Sequence, residues 1–202
     1  MNNPMHRVGL LAAALALPVL ALTACNPMEP GAAATVGGTR ITEAELANQV
    51  EAILKAQGRP ADAADADLTT STLSRMVTVE LVEQASAQAG ISITQGEIDT
   101  ALAGYVAQAG SQQEVEKIFI DGGIAPTQIE SIIVLNLRAQ ALGQVLLPDA
   151  EPQAQGAELV RQLGQFSIEQ GTTISPRYGS WNPVALQVGP LESPLAVPPA
   201  SE

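Results

Sequence analysis

Histidine and cysteine are nearly missing from this sequence, each occurring once, as His6 and Cys25. Both fall in or at the end of an N-terminal stretch that reads as a removable leader. The remaining chain then has no imidazole and no free thiol. That excludes Ser-His-Asp and Cys-His catalysis, and it excludes zinc sites built from His and Cys. A lone cysteine forms no internal disulfide. Aromatic residues make up only 2% of the chain against a hydrophobic content of 46%. Any core is therefore aliphatic, a mix that favours helix packing over a β-sandwich. Basic residues are scarce as well: nine Lys and Arg face 21 Asp and Glu, for a formal net charge of −12. Nucleic acid needs a basic face, and adsorption to anionic lipid needs a basic patch. Neither partner fits. No P-loop pattern is present, and no cofactor or metal is expected.

What is present begins with the leader. His6-Arg7 supplies a short cationic start, and Val8 to Leu22 is almost wholly apolar, with Pro18 inside it. This order is that of a secretory signal peptide. The run is shorter than the ~20 residues a transmembrane helix uses. Leu22, Thr23, Ala24 and Cys25 end it, and they resemble the lipobox of bacterial lipoproteins. The resemblance implies a diacylglycerol on the Cys25 sulfur and cleavage before it. The alternative is an ordinary signal peptide followed by a buried Cys. Two or more acyl chains anchor a protein stably, so the expected location is the extracytoplasmic face of the cell membrane. The expected organisation is a signal peptide over 1–24, a tether over 25–33, a helical domain over 34–188 and a disordered Pro-rich tail over 189–202.

Within the domain, Gly37-Gly38 between β-prone pairs signals a two-residue hairpin. Thr42 and Glu45 form a capping box for a first helix to about Ala56. Asp62, Asp65 and Asp67 lie in an acidic loop. Without the EF-hand glycine and glutamate they read as solvated acids rather than a calcium site. A second helix is expected over about 70–89, with Leu73, Met76, Val77, Leu81 and Ala85 on its apolar stripe. Glu80 and Glu83 lie off the stripe and read as solvated. Thr94 and Glu97 form a second capping box for a third helix to about Ala109, with Tyr105 inward. Ser111 caps a fourth helix that ends at Gly122-Gly123. Pro126 opens a fifth, to about Leu147, whose apolar residues cover more than one face. That helix is expected to be largely enclosed and to be the packing centre. A sixth spans about 153–169. The segment 172–181 reads as a strand with a turn, placed to pair with the N-terminal hairpin.

These elements carry a resemblance. Ala34-Thr35-Val36-Gly37-Gly38-Thr39-Arg40-Ile41-Thr42 resembles the opening of SurA-like and PrsA-type chaperones, with Gly37 where those proteins usually have Asn. Ala89-Gly90-Ile91-Ser92-Ile93-Thr94, followed by Glu97-Ile98, is similar to their next signature. Pro176-Arg177-Tyr178-Gly179-Ser180-Trp181 resembles the ending of short lipoproteins that carry a SurA N-terminal-like domain. The resemblance implies a mainly α fold, a bundle of about six helices with a small β element pairing the N-terminal segment with the C-terminal strand. SurA and PrsA insert parvulin isomerase domains before the closing segment. Here only 148–156 separate the fifth and sixth helices, which leaves no room for one.

The function so implied is non-enzymatic: a membrane-anchored lipoprotein that binds unfolded or exported polypeptides in an apolar groove. Candidate groove residues are Met76, Ile118, Phe119 and Ile120, each of which also reads as ordinary core. One alternative is an adaptor lipoprotein for one dedicated envelope partner. Another is a non-standard peptidyl-prolyl isomerase, which the missing insert opposes. Arg177, Tyr178 and Trp181 admit two readings, a cation–π clasp on a client or a lock holding the closing strand on the bundle.

Overall fold

A computed structural model describes residues 30–191 of the protein. The expected signal peptide, the lipobox with Cys25, and the tail from residue 192 onward lie outside the described residues. The chain turns at Gly37 and Gly38 with φ of +55° and +90°, left-handed conformations that glycine holds without a Cβ penalty. Asn also tolerates this region, but a Cβ at Gly37 would meet the Gln84 and Gln170 side-chain oxygens at 2.5 Å, so here the position is packed for glycine. The turn joins β1 (Ala32–Val36) to β2 (Thr39–Thr42) as an antiparallel hairpin. On the other side of β1 lies β3 (Thr173–Ile174), with Ala34 opposite Ile174. The expected pairing of the closing segment with the hairpin is therefore present. β1 starts two residues earlier than expected. Ala32 and Ala33, read as tether, are buried in the sheet.

Next come α1 (Glu43–Ala56) and α2 (Ala66–Gln88). α1 begins with the expected capping box: Thr42 Oγ1 accepts from the Glu45 amide, and the Glu45 carboxylate accepts from the Thr42 amide. α2 starts four residues before the expected Thr70. Asp65 caps it by accepting from the Leu68 amide at 2.8 Å. Arg59 holds Asp65 in place through a 2.8 Å ion pair. Asp65 is thus a helix cap rather than a solvated loop acid, and the Leu68 amide, then Arg59, hold its carboxyl below the usual range. α3 (Gln95–Ala109) opens with the Thr94–Glu97 capping box, and α4 (Gln112–Asp121) with Ser111 accepting from the Glu114 amide. Pro126 starts a single 3-10 turn (Pro126–Gln128) rather than the α-helix itself, and α5 (Ile129–Leu146) follows. α6 (Pro152–Glu169) begins after a short link at 147–151.

The packing centre is α2, not α5. Leu73, Val77 and Leu81 of α2 are fully buried, and the helix packs against α1, α5, α6 and β1. Thr72, Ser74 and Ser86 are buried on it too, and these small side chains let neighbours approach from several sides. α5 is only part enclosed, with Val145 61% exposed. Its apolar residues divide between two cores. Leu142 joins the main one around α2, while Ile129 and Ile133 form a small second core with Ile98.

The closing segment does more than one strand. β4 (Ser180–Asn182) pairs antiparallel with β5 (Gln187–Gly189). The turn between them is set by Asn182 Oδ1, which accepts from the amides of Val184 and Ala185. This hairpin docks on α2, where the Val188 amide donates to Ser74 Oγ at 2.8 Å.

Candidate functional site

α3 and α4 form an arm over the second core. Gly110, with φ of +92°, ends α3, and the Ser111 cap starts α4 at once, so the two helices fold back on each other. α4 is amphipathic in an unusual sense. Its Val115 is buried, but Ile118, one turn on, is 56% exposed. Between the helices lies a depression of about 510 Å³ lined by Tyr105, Ala109, Val115, Ile118, Phe119 and Ile124. No charged side chain lines it. Tyr105 and Phe119 meet edge to face, with ring centroids 5.9 Å apart and planes at 76°, a favourable aromatic geometry. The chain has only five aromatic residues, so two of them meeting at one surface depression is a concentration.

The four candidate groove residues do not share one surface. Ile118 and Phe119 line the α3–α4 depression. Met76 lines a different cleft, of about 290 Å³, between α2, β2, α1 and the start of α5. Ile120 turns its backbone toward α1, its carbonyl accepting from Gln57 Nε2 at 3.1 Å. Sequence reasoning passed over Tyr105, Ala109 and Ile124 as lining residues. Tyr105 stands on the inward stripe of α3, and only the fold shows that α4 leaves its ring half uncovered.

The closing motif is a lock. Trp181 Nε1 donates to the fully buried Ser167 Oγ of α6 at 2.9 Å. The Arg177 guanidinium lies 5.8 Å from the Tyr178 ring centre and 3.5 Å from the Glu43 carboxylate. Burial, then the charge of Glu43, pushes the Tyr178 hydroxyl pKa up. These contacts hold β3–β5 on α1 and α6. Of the two carboxylates read as solvated, Glu80 is half-buried and accepts from Gln84 at 2.7 Å, while Glu83 is exposed and lies 3.4 Å from Arg138. Among the described residues no three His, Cys, Asp or Glu side chains are grouped as metal ligands.

Comparison with protein families identifies residues 5–132 as a SurA-like N-terminal domain. The chain belongs to that family. The matched region runs from the apolar leader to the first turn of α5, and so contains the whole α3–α4 arm. Neither the curated proteins nor the solved structures yield a match. Members of this SurA-like family are chaperone-like domains. The mainly helical fold with small antiparallel sheets agrees with that membership.

Proposed function

We propose that the protein is a lipid-anchored, extracytoplasmic holder of non-native polypeptides that works by binding alone. The observation that carries this is the α3–α4 depression. It exposes aliphatic and aromatic surface on an arm that stands apart from the main core. An apolar concavity with no charged lining is a candidate binding site. Its lining suits the side chains of a chain not yet folded, since aromatic and aliphatic surface binds without demanding a sequence. The acidic balance keeps such a holder soluble. The leader and Cys25 support anchoring, and the five-residue link between α5 and α6 supports a reading without an inserted isomerase.

The test is light scattering of a denatured, aggregation-prone client diluted into increasing amounts of the full chain. The expected result is suppression at near-stoichiometric ratios, reduced several-fold by Ile118→Asp. A folded protein that never suppresses aggregation overturns general polypeptide holding and leaves a dedicated-partner adaptor. A short prolyl-peptide isomerisation assay is expected to show no activity.

A further inference from the structure

The second cleft, where Met76 lies, contains an arginine in an odd position. Arg75 of α2 is half-buried at the cleft lining, and its one hydrogen bond among the described residues is a long contact, 3.5 Å, from Nη2 to Thr72 Oγ1. The other arginines of the helices and loops are placed differently. Arg59, Arg138, Arg161 and Arg177 each sit against a carboxylate. Arg75 has no ion pair among the described residues. Arg40 and two glutamates also line the cleft; Glu45 lies in the field of Arg40, and neither glutamate pairs with Arg75 among the described residues. Glu45 takes the amide and hydroxyl of Thr42, and Glu80 takes the Gln84 amide. Desolvation lowers the Arg75 pKa with no charge partner opposing it. A guanidinium partly removed from water without an anion is costly. Its planar fork matches a carboxylate in two parallel hydrogen bonds.

The walls around it define the visitor. Gln49, Gln128 and Ser131 offer polar atoms, while Met76 and Ile132 offer apolar ones. The volume, about 290 Å³, suits one side chain or one chain end rather than a folded surface. β2, the edge strand of its sheet, forms one rim.

We propose that this cleft takes the carboxylate of a bound polypeptide, an Asp or Glu side chain or the chain's own C-terminus, with Arg75 as its partner. The proposal rests on the reading of the protein as a polypeptide holder. The α3–α4 depression grips apolar residues, and the Arg75 cleft selects an acidic group of the same bound chain.

The experiment measures fluorescence anisotropy of labelled apolar ten-residue peptides titrated with the full chain. One peptide carries Gln and a C-terminal amide, one carries Glu and the amide, and one carries Gln and a free carboxylate. Measurements are made at 0.15 M salt, where the acidic surface acts over only about 8 Å. The expected result is about tenfold tighter binding of at least one carboxylate peptide, in line with a charged hydrogen-bonded pair. Which peptide gains tells side chain from chain end. Arg75→Gln removes the preference, and Arg75→Lys keeps part of it. Binding of all three peptides with equal affinity, or a preference that survives Arg75→Gln, overturns the proposal and leaves the holder reading intact. Failure of every peptide to bind overturns both.

Discussion

Replacing Gly164 with alanine places a methyl group where α6 meets the β4–β5 hairpin. The new Cβ would sit 2.3 Å from the Pro183 carbonyl oxygen, with the Pro183 carbonyl carbon at 3.3 Å. Backbone cannot swing aside as a side-chain tip can, so helix and hairpin must part by about 1 Å to reach ordinary contact. Overpacking of this kind costs about 1–3 kcal/mol. Parting also stretches the Trp181–Ser167 hydrogen bond, whose loss is worth about 1 kcal/mol. Alanine returns about 1 kcal/mol through helix propensity. The net is a loss of about 2 kcal/mol, or roughly 4–8 °C in Tm for a domain of this size. Gly156 lies in the same helix and supplies the control. A Cβ there meets nothing within 4 Å, so Gly156→Ala keeps the propensity gain and raises Tm by roughly 2–4 °C. Thermal unfolding by circular dichroism measures both, and Trp181, the only tryptophan, reports the parting through its fluorescence. Shifts of the same sign for the two variants refute the docking of the hairpin on α6.

Leu81→Ala empties part of the core around α2 and costs about 2–5 kcal/mol, measured as the urea midpoint. A cost below 1 kcal/mol contradicts α2 as packing centre. Acid weakens the fold in a defined window. The carboxyls of Glu45 and Glu97 are held below their ordinary value of 4.5 by hydrogen bonds with Thr42 and Thr94, and Glu158 is held at about 2 by Arg161 and Gln162. Groups with lowered folded pKa stabilise above the unfolded value and lose that contribution as pH falls through the folded one. The urea midpoint is therefore expected to fall as pH drops below about 4.5, and Glu97→Gln to make the fall shallower. Phe119→Ala removes the ring that Tyr105 packs against at the depression. It is expected to reduce aggregation suppression several-fold while Tm changes by only a few degrees, since Phe119 lies outside the main core.

The capping signals carried most of the legible fold. Thr42 with Glu45, Thr94 with Glu97, and Ser111 with Glu114 place three helix starts within a residue, because each is a local hydrogen bond between near neighbours. The Asp65 cap, though equally local, was missed because the helix was expected to start at 70, inside the Thr69-Thr70-Ser71 run of weak helix formers. In the fold those hydroxyls bond back to the carbonyls of the preceding turn, as Thr69 Oγ1 does to Asp65 at 2.7 Å. The β4–β5 hairpin was missed although Asn182-Pro183 is a turn signal, since no alternating apolar pattern flanks it. α5 misled through hydrophobicity: its apolar residues serve two cores in succession rather than one core all round. The candidate site was legible only in part. Ile118 and Phe119 stand out as apolar residues near the end of a short polar helix. Tyr105 and Arg75 became visible through what the fold leaves uncovered or unpaired around them.

The central claim is that the α3–α4 arm receives non-native chains. The most direct measurement is photo-crosslinking of the full chain to a denatured client, with a photoreactive residue at Ile118 and, as a reference, at Val184. Both positions are well exposed, at 56% and 83%, but Val184 lies on the β4–β5 turn, away from the depression. The account predicts crosslinks from position 118, competed by excess apolar peptide, and few from 184. Equal crosslinking from both positions, or crosslinking from 184 alone, contradicts it.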